Sequence, residues 1–178
     1  MLLPRPADVP VLVREATRDD AEAIGEVHAE AWRVAHRDLF ETRALRAFVE
    51  ERRTRWTRVM STREFVRNTL LVAERGHRIV AFVHVGPHSD GMPDGQVHDF
   101  YADPSTWGSG VAWTLMDKAW EVLADARFRR VRLWTITGGN RARHFYESFG
   151  FTRTGRTREH DFGDGRPVLQ VEYLRRTR

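Results

Sequence analysis

The sequence contains no cysteine, which removes disulfides, zinc-thiolate sites and a cysteine nucleophile together. It has no uninterrupted apolar stretch near the roughly 20 residues that a membrane-spanning helix needs. Its opening, MLLPRPADVP, carries prolines at 4, 6 and 10 and no run of signal-peptide character. Lysine is almost missing: of 29 Lys and Arg residues, Lys118 is the one lysine. The arginines are scattered, often in pairs such as Arg52-Arg53, Arg129-Arg130 and Arg175-Arg176. They stand against 25 Asp and Glu for a net charge of +4, so they read as a solvated surface rather than a nucleic-acid stripe. Internal repeats and low-complexity tracts are absent as well. These absences lead us to expect a soluble, cytoplasmic protein with neither a membrane nor a nucleic acid as partner.

What is present suits one packed domain. The chain has 178 residues, 41% of them hydrophobic and 30% charged, a globular balance at a length that buries a core without staples. Residues 1–8 read as a flexible N-terminal segment and 9–178 as the domain. Val9 to Arg14 reads as a strand, and Thr17 followed by Asp20 has capping-box spacing. Two helices follow. The first carries Ile24, Val27, Ala31 and Trp32 at helical spacing, and the second, from about Glu41 to Met60, has a stripe of Leu45, Phe48, Val49, Trp56 and Val59. Thr69 to Glu74 and Arg78 to Val85 read as a hairpin across Arg75-Gly76-His77. A loop from Gly86 to Gly95 leads to a strand at Val97 to Ala102. A helix from Val111, a strand at Arg130 to Ile136, a short helix at Arg141 to Phe149 and a final strand pair, Phe151 to Phe162 with Val168 to Leu174, complete the order β-αα-βββ-α-β-α-ββ. That order predicts a single-domain α/β (α+β) fold round a mixed sheet.

The most informative segment is YADPSTWGSGVAWTLMDKAWEVL, Tyr101 to Leu123, where a strand ends, a short loop carries Gly108 and Gly110, and a helix begins. Glycines let the main chain approach a ligand, and the first N–H groups of a helix lack intrahelical partners and favour negative charge. The loop lacks the third glycine of a dinucleotide fingerprint, and no Gly-Lys-Ser/Thr follows it, so neither of those phosphate loops applies.

The same segment resembles motif A of the GNAT superfamily of N-acetyltransferases, Gln/Arg-x-x-Gly-x-Gly/Ala after a strand and a proline. Trp107, Gly108, Ser109, Gly110, Val111 and Ala112 occupy the six places; Gly110 and Ala112 match, and Trp107 replaces the usual Gln or Arg. Downstream, LWTITGGNRARHFYESFGF, Leu133 to Phe151, is similar to motif B, with Ala142, Phe145, Tyr146, Glu147, Gly150 and Phe151 in register. The asparagine that usually precedes this helix is displaced: Gly139 falls in its slot and Asn140 comes one residue later. Val11 to Phe40, with Trp32-Arg33 on the first helix, also resembles the superfamily.

The resemblance implies a mostly antiparallel sheet of about seven strands with about four helices, two central strands of which splay apart. It also implies an acetyltransferase using acetyl-CoA as donor, with no metal. Phe100, Tyr101 and Ala102 would offer main-chain groups to pantetheine and Trp107 to Ala112 N–H groups to pyrophosphate, with Asn140 and Phe145 also on the cofactor. The amine of a small-molecule or peptide acceptor would attack the thioester directly, and Tyr146 would protonate the departing sulfur. Dimerisation is implied by family habit alone.

The base is open. Eight residues before Pro104, where many relatives carry glutamate, stands Gln96, which cannot usefully accept a proton. On a regular strand His98 shares a face with Gln96 while Asp99 points the other way. That makes His98 the first candidate, its ordinary pKa near 6.5 suiting proton transfer; a bulge would turn Asp99 inward instead, and a water serving both is a third route. Trp32 and His36, one helical turn apart, and His84, taken to fall by the loop after the third strand, are candidate acceptor contacts. His28 continues the Trp32–His36 series, but without a fourth ligand it makes no metal site. A non-catalytic acyl-CoA-binding or sensing domain is the alternative function.

Overall fold

The structure is a computed structural model and describes residues 10–177; the expected flexible segment 1–8, and Val9, where the first strand was expected to begin, lie outside them. Thr17 and Asp20 turn the chain from strand to helix. The Asp20 carboxylate accepts the Thr17 main-chain N–H at 2.7 Å and the Thr17 hydroxyl at 3.1 Å, and Arg14 grips the same carboxylate from the strand side. β1 (Val11–Glu15) thus passes through a single turn, Arg18–Asp20, into α1 (Ala21–Ala35). The buried residues of α1, among them Ile24, Val27, His28, Ala31 and Trp32, recur every three or four positions and form one face. α2 (Thr42–Val59) lies against it, so close at Gly25 that a Cβ there would sit 2.0 Å from the Arg53 carbonyl oxygen.

The remaining elements are β2 (Thr69–Arg75), β3 (Arg78–Pro87), β4 (Gly95–Ala102), α3 (Val111–Asp125), β5 (Arg130–Ile136), α4 (Asn140–Ser148), β6 (Thr152–His160) and β7 (Val168–Arg176). They form a seven-stranded sheet in the order β1-β2-β3-β4-β5-β7-β6, antiparallel except for β4 beside β5. This is the mixed, mostly antiparallel sheet with four helices that the motif resemblance implied. The loop after β3 is shorter than the expected Gly86 to Gly95, because Gly86 and Pro87 pair with Gln96 and Gly95 and extend the hairpin. Alternate residues of β2 feed two cores: Leu70 and Val72 pack with α1 and α2, while Leu71 and Ala73 pack with α3 and α4. Among the described residues no helix is long and apolar enough to cross a membrane.

Two irregularities in β4 position everything that follows. First, β4 pairs with β5 at only two places, Gly95 with Val131 and Gln96 with Arg132; beyond them the strands part. The closed end is clamped by buried charges. Asp94 accepts Arg130 Nε at 2.9 Å and Arg132 Nε at 2.6 Å, and Arg132 also donates to Glu172 at 2.9 Å. Glu172, fully buried, further accepts Thr154 and Arg156. Second, His84 pairs with Asp99 whereas Val85 pairs with Val97, so His98 is an extra residue, a bulge. The regular alternation expected for this strand therefore fails at His98. Asp99 and Tyr101 turn toward α1 and α2, and Phe100 and Ala102 toward α3 and α4.

Candidate active site

Where β4 and β5 part, the gap opens into a cavity of about 780 Å³, lined by both strands, the start of α3, α4, and the inner faces of α1 and α2. A larger and more open hollow, of about 1030 Å³ and lined by Arg127, Arg129, Arg130 and Arg176, lies at the far end of the sheet. It has no splayed strand and no helix start, and the chemistry argues for the first cavity.

At one end of the cavity is the glycine loop. Gly108 and Gly110 have φ of 78° and 85°, a region costly for other residues, and a Cβ on either would meet nothing within 4 Å. Backbone angle and close approach, not crowding, therefore call for glycine. Among the described residues the N–H groups of Gly108, Gly110, Val111, Ala112 and Trp113 have no main-chain partner, as a helix start requires. Two of the expected donors are already spent: Trp107 N–H donates to the Pro104 carbonyl and Ser109 N–H to that of Thr106, because the chain makes a tight turn just before the helix. The Val111 side chain is fully buried in the core, and the Ser109 hydroxyl bonds back to Thr106 at 2.6 Å. Trp107 anchors the loop through its indole, which donates to the Ala102 carbonyl at 3.0 Å. The Arg141 guanidinium lies 4.5 Å over its ring, and Arg75 reaches to within 3.5 Å of Ser109. Sequence reasoning did not single out these two arginines.

Along the middle, the edge of β4 from Val97 to Ala102 faces the gap without a β5 partner, and the Phe100 ring lies tilted 5.2 Å from that of Phe145. Asn140 begins α4 on an exposed turn and also lines the cavity. Tyr146, 7% exposed, packs against Phe100, Phe145 and Phe151. Its hydroxyl has no protein partner among the described residues, and burial pushes its pKa above the ordinary tyrosine value. It is a protonated phenol at neutral pH, facing the cavity.

Asp99 lines the same stretch. Its Oδ2 meets His84 Nδ1 at 3.1 Å, leaving Oδ1 free. Burial works to raise the Asp99 pKa, but the hydrogen bond to His84 and the neighbouring charges, Arg55 among them, together outweigh it and hold the group below the usual carboxylate range. His98 is held neutral, its pKa lowered to about 4 by burial and by neighbouring His84, and its Nε2 is enclosed with no partner. Both residues line the cavity; the bulge that was the condition for an inward Asp99 is present, and the His98 Nε2 is enclosed. Gln96 is tied away, its Oε1 accepting the Ser89 N–H and hydroxyl at 3.0 and 3.1 Å. His84 does not contact the cavity as expected of an acceptor-binding residue. It lies within β3, 7% exposed, behind Asp99.

At the other end are α1 and α2. His28, lowered to about 3 by burial, accepts Trp56 Nε1 at 3.1 Å and is a satisfied core residue. Trp32 lines the cavity but is 1% exposed, donating to the Tyr101 hydroxyl at 3.0 Å. His36 meets it edge-on at 4.4 Å, its pKa lowered to about 4 by burial and by Arg52. The Arg52 guanidinium lies 3.4 Å from the Trp32 ring centre. Sequence reasoning missed Arg52 too, although a signal was there: positions 48, 52 and 56 lie on one helical stripe, and an arginine interrupts Phe48 and Trp56. Among the described residues no group of three or more His, Asp or Glu is placed to hold a metal ion.

The acetyltransferase (GNAT) family profile matches residues 22–151. The chain belongs to this family. No curated protein sequence matches it significantly, but solved GNAT-type structures share its fold. The PaiA N-acetyltransferase of Thermoplasma acidophilum, solved with coenzyme A, superposes with a TM-score of 0.73 at 15% identity, covering 94% of this chain and 99% of that one. YncA of Salmonella typhimurium, solved with its cofactor acetyl-CoA, gives 0.65 at 15%, covering 95% of each. The ribosomal-protein-alanine N-acetyltransferase of Brucella melitensis gives 0.65 at 19%, covering 93% and 99%. At such identities the likeness is one of fold. What the splayed strands, the glycine loop and Tyr146 of this GNAT enzyme do is therefore argued from their own geometry.

Proposed function

We propose that the protein transfers the acetyl group of acetyl-CoA to a primary amine within a ternary complex, with no acyl-enzyme. The observation that carries this reading is the parting of β4 and β5, which gathers three features round one cavity: free N–H groups at the start of α3, a free main-chain edge on β4 and the Tyr146 hydroxyl. The N–H groups of Gly108, Gly110, Val111 and Ala112 receive the pyrophosphate, with Arg75 and Arg141 at its flanks. Phe100 to Ala102 pair with the amides of the pantetheine arm, Phe145 packs against it, and Asn140 lies at the cofactor's edge. This pairing aligns the thioester beside Tyr146.

The amine arrives as an ammonium and must lose a proton before it attacks. Asp99, ionised and held by His84, attracts the ammonium and passes that proton, directly or through water, to solvent; His98 lends an uncharged wall. The nitrogen forms its bond to the carbonyl carbon, the C–S bond breaks, and Tyr146 protonates the leaving thiolate. The tyrosine recovers a proton from the acylated nitrogen, so the amide and free CoA leave with one net proton released. A buried phenol that stays protonated at neutral pH supports this role for Tyr146.

The test is a titration of acetyl-CoA followed by thiol release with a panel of primary amines. Saturable CoA binding with amine-dependent thiol release supports the reading. Tight CoA binding without release on any amine would replace it with the sensing function.

A further inference from the structure

The acceptor end of the cavity is charged in a way that restricts what it can take. Of the ionisable side chains that line the cavity, Asp99 is the one carboxylate, against the arginines Arg52, Arg55, Arg141 and Arg158. Arg141 belongs to the cofactor end, over Trp107; the other three surround the acceptor end. Arg52 is 7% exposed and boxed by aromatic rings, 3.4 Å from Trp32, 5.8 Å from Phe48 and 5.6 Å from Phe162. Its Nη1 donates to the Phe48 carbonyl at 3.0 Å. Its Nε is enclosed with no partner, and Nη2 has none among the described residues. The nearest carboxylate is that of Glu51, 46% exposed and 3.5 Å away on the already engaged Nη1; such a pair offsets little of the cost of burying a charge.

Aromatic faces attract a guanidinium only weakly, while an ion this deep needs a counter-charge and hydrogen-bond acceptors. Among the described residues neither is supplied at Nη2, and Arg52 lines the cavity.

Resting on the acetyltransfer reading, we infer that the acceptor is a small zwitterion. Its amine meets Asp99 and Tyr146, its anionic end meets Arg52, and an apolar body lies against Tyr101 and Phe162. Amines with a carboxylate or phosphate at the far end fit, and planar Arg favours either. Polycations do not fit: a polyamine, an aminoglycoside or a lysine-rich peptide would bring further positive charge against Arg52, Arg55 and Arg158. Arg52 lies too deep for a long chain to continue past it, so the anionic group is terminal.

The experiment compares amines in matched pairs, reading both turnover and binding in the presence of CoA. The probes are phenylalanine beside phenylalaninamide, γ-aminobutyrate beside its amide, 2-aminoethyl phosphate beside ethanolamine, and spermidine as the polycation. Wild type is expected to prefer the anionic member of at least one pair roughly 10- to 100-fold in kcat/KM and in affinity, the range of a hydrogen bond to a charged group. Spermidine is expected to rank last. The carboxylate and phosphate pairs tell the two sources of anion apart. In Arg52→Met, which keeps an apolar stem on Trp32, that preference should fall to within about threefold, and Arg52→Lys should restore part of it. Equal use of both members of every pair, or preferred use of spermidine, overturns the inference on wild type alone, even if the variants fail to fold. Equal losses for both members in Arg52→Met would make Arg52 a packing residue only and also overturn it. Preferential binding of the anion without turnover would uphold the anion site and instead sink the acetyltransfer reading.

Discussion

At the cofactor end of the cavity the protein presents main chain: N–H groups at the start of α3 and the unpaired edge of β4, with glycines at φ near 80° to let a ligand approach. At the acceptor end it presents side chains instead, Asp99 from β4 and Arg52 from α2 among Trp32 of α1 and Phe162 of the loop before β7. Main-chain donors recognise a feature common to every CoA ester, and their geometry survives most changes of side chain. A cage of side chains from distant segments recognises one class of acceptor and depends on every element that brings it together. The two ends meet at Tyr146 and Asp99, where the reaction would take place.

The comparison can be broken most severely at the meeting point. Tyr146→Phe should lower kcat by roughly 10²–10⁴-fold, the usual worth of a positioned proton donor, while acetyl-CoA affinity measured by calorimetry changes little. An equal fall in affinity and rate would make Tyr146 part of the cofactor wall. The closed end of the strand pair is next. Glu172→Ala removes one of the two carboxylates of a buried cluster and leaves Arg132 to share Asp94 with Arg130, which should cost up to about 3–5 kcal/mol in chemical denaturation. A loss under about 1 kcal/mol would show that the clamp does not hold the splay.

His84→Phe keeps an aromatic ring beside Trp56 and Phe65 but removes the hydrogen bond that lowers the Asp99 pKa. A carboxylate acts as proton acceptor only above its pKa, and in wild type that value lies below the usual range. Asp99 should therefore impose no loss of kcat between pH 5 and 8. Without His84, fewer groups oppose burial and the pKa moves up, so kcat should fall on the acid side as Asp99 becomes protonated, roughly tenfold for each pH unit below the new pKa. A pH profile identical in shape to wild type would rule Asp99 out as the acceptor. The smallest effect is at the glycine loop. Gly110→Ala forces a side chain into φ of 85° at a cost of about 1–2 kcal/mol, which should weaken CoA roughly 5- to 30-fold and leave the ranking of acceptors unchanged.

The turn into α3 was legible because its signals are local: a strand, a proline, Gly108 and Gly110, then an apolar helix, all within about 20 residues. Even there the individual donors were not, since the turn that consumes the Trp107 and Ser109 N–H groups is a matter of hydrogen-bond geometry. The acceptor end was not legible. Arg52 reads as one more arginine in a basic helix until the fold sets Trp32 against its face and Phe162 across it, and His84, read in the strand beside a loop, proves to lie behind Asp99 once Gly86 and Pro87 extend the hairpin.

By itself the sequence determined the alternation of strands and helices, the helix start that Thr17 and Asp20 secure, the glycine loop, and Tyr146 at helical register in its motif. Each follows from residues close in the chain, whose periodicity and backbone freedom act locally. Only the tertiary structure decided which face Asp99 takes, because a bulge is a two-to-one count between strands and needs both strands to exist. It alone decided that Gln96 is tied to Ser89 and that Arg52 is buried against aromatic rings with only the half-exposed Glu51 beside it, because desolvation and charge pairing arise from groups that meet only when the chain has folded.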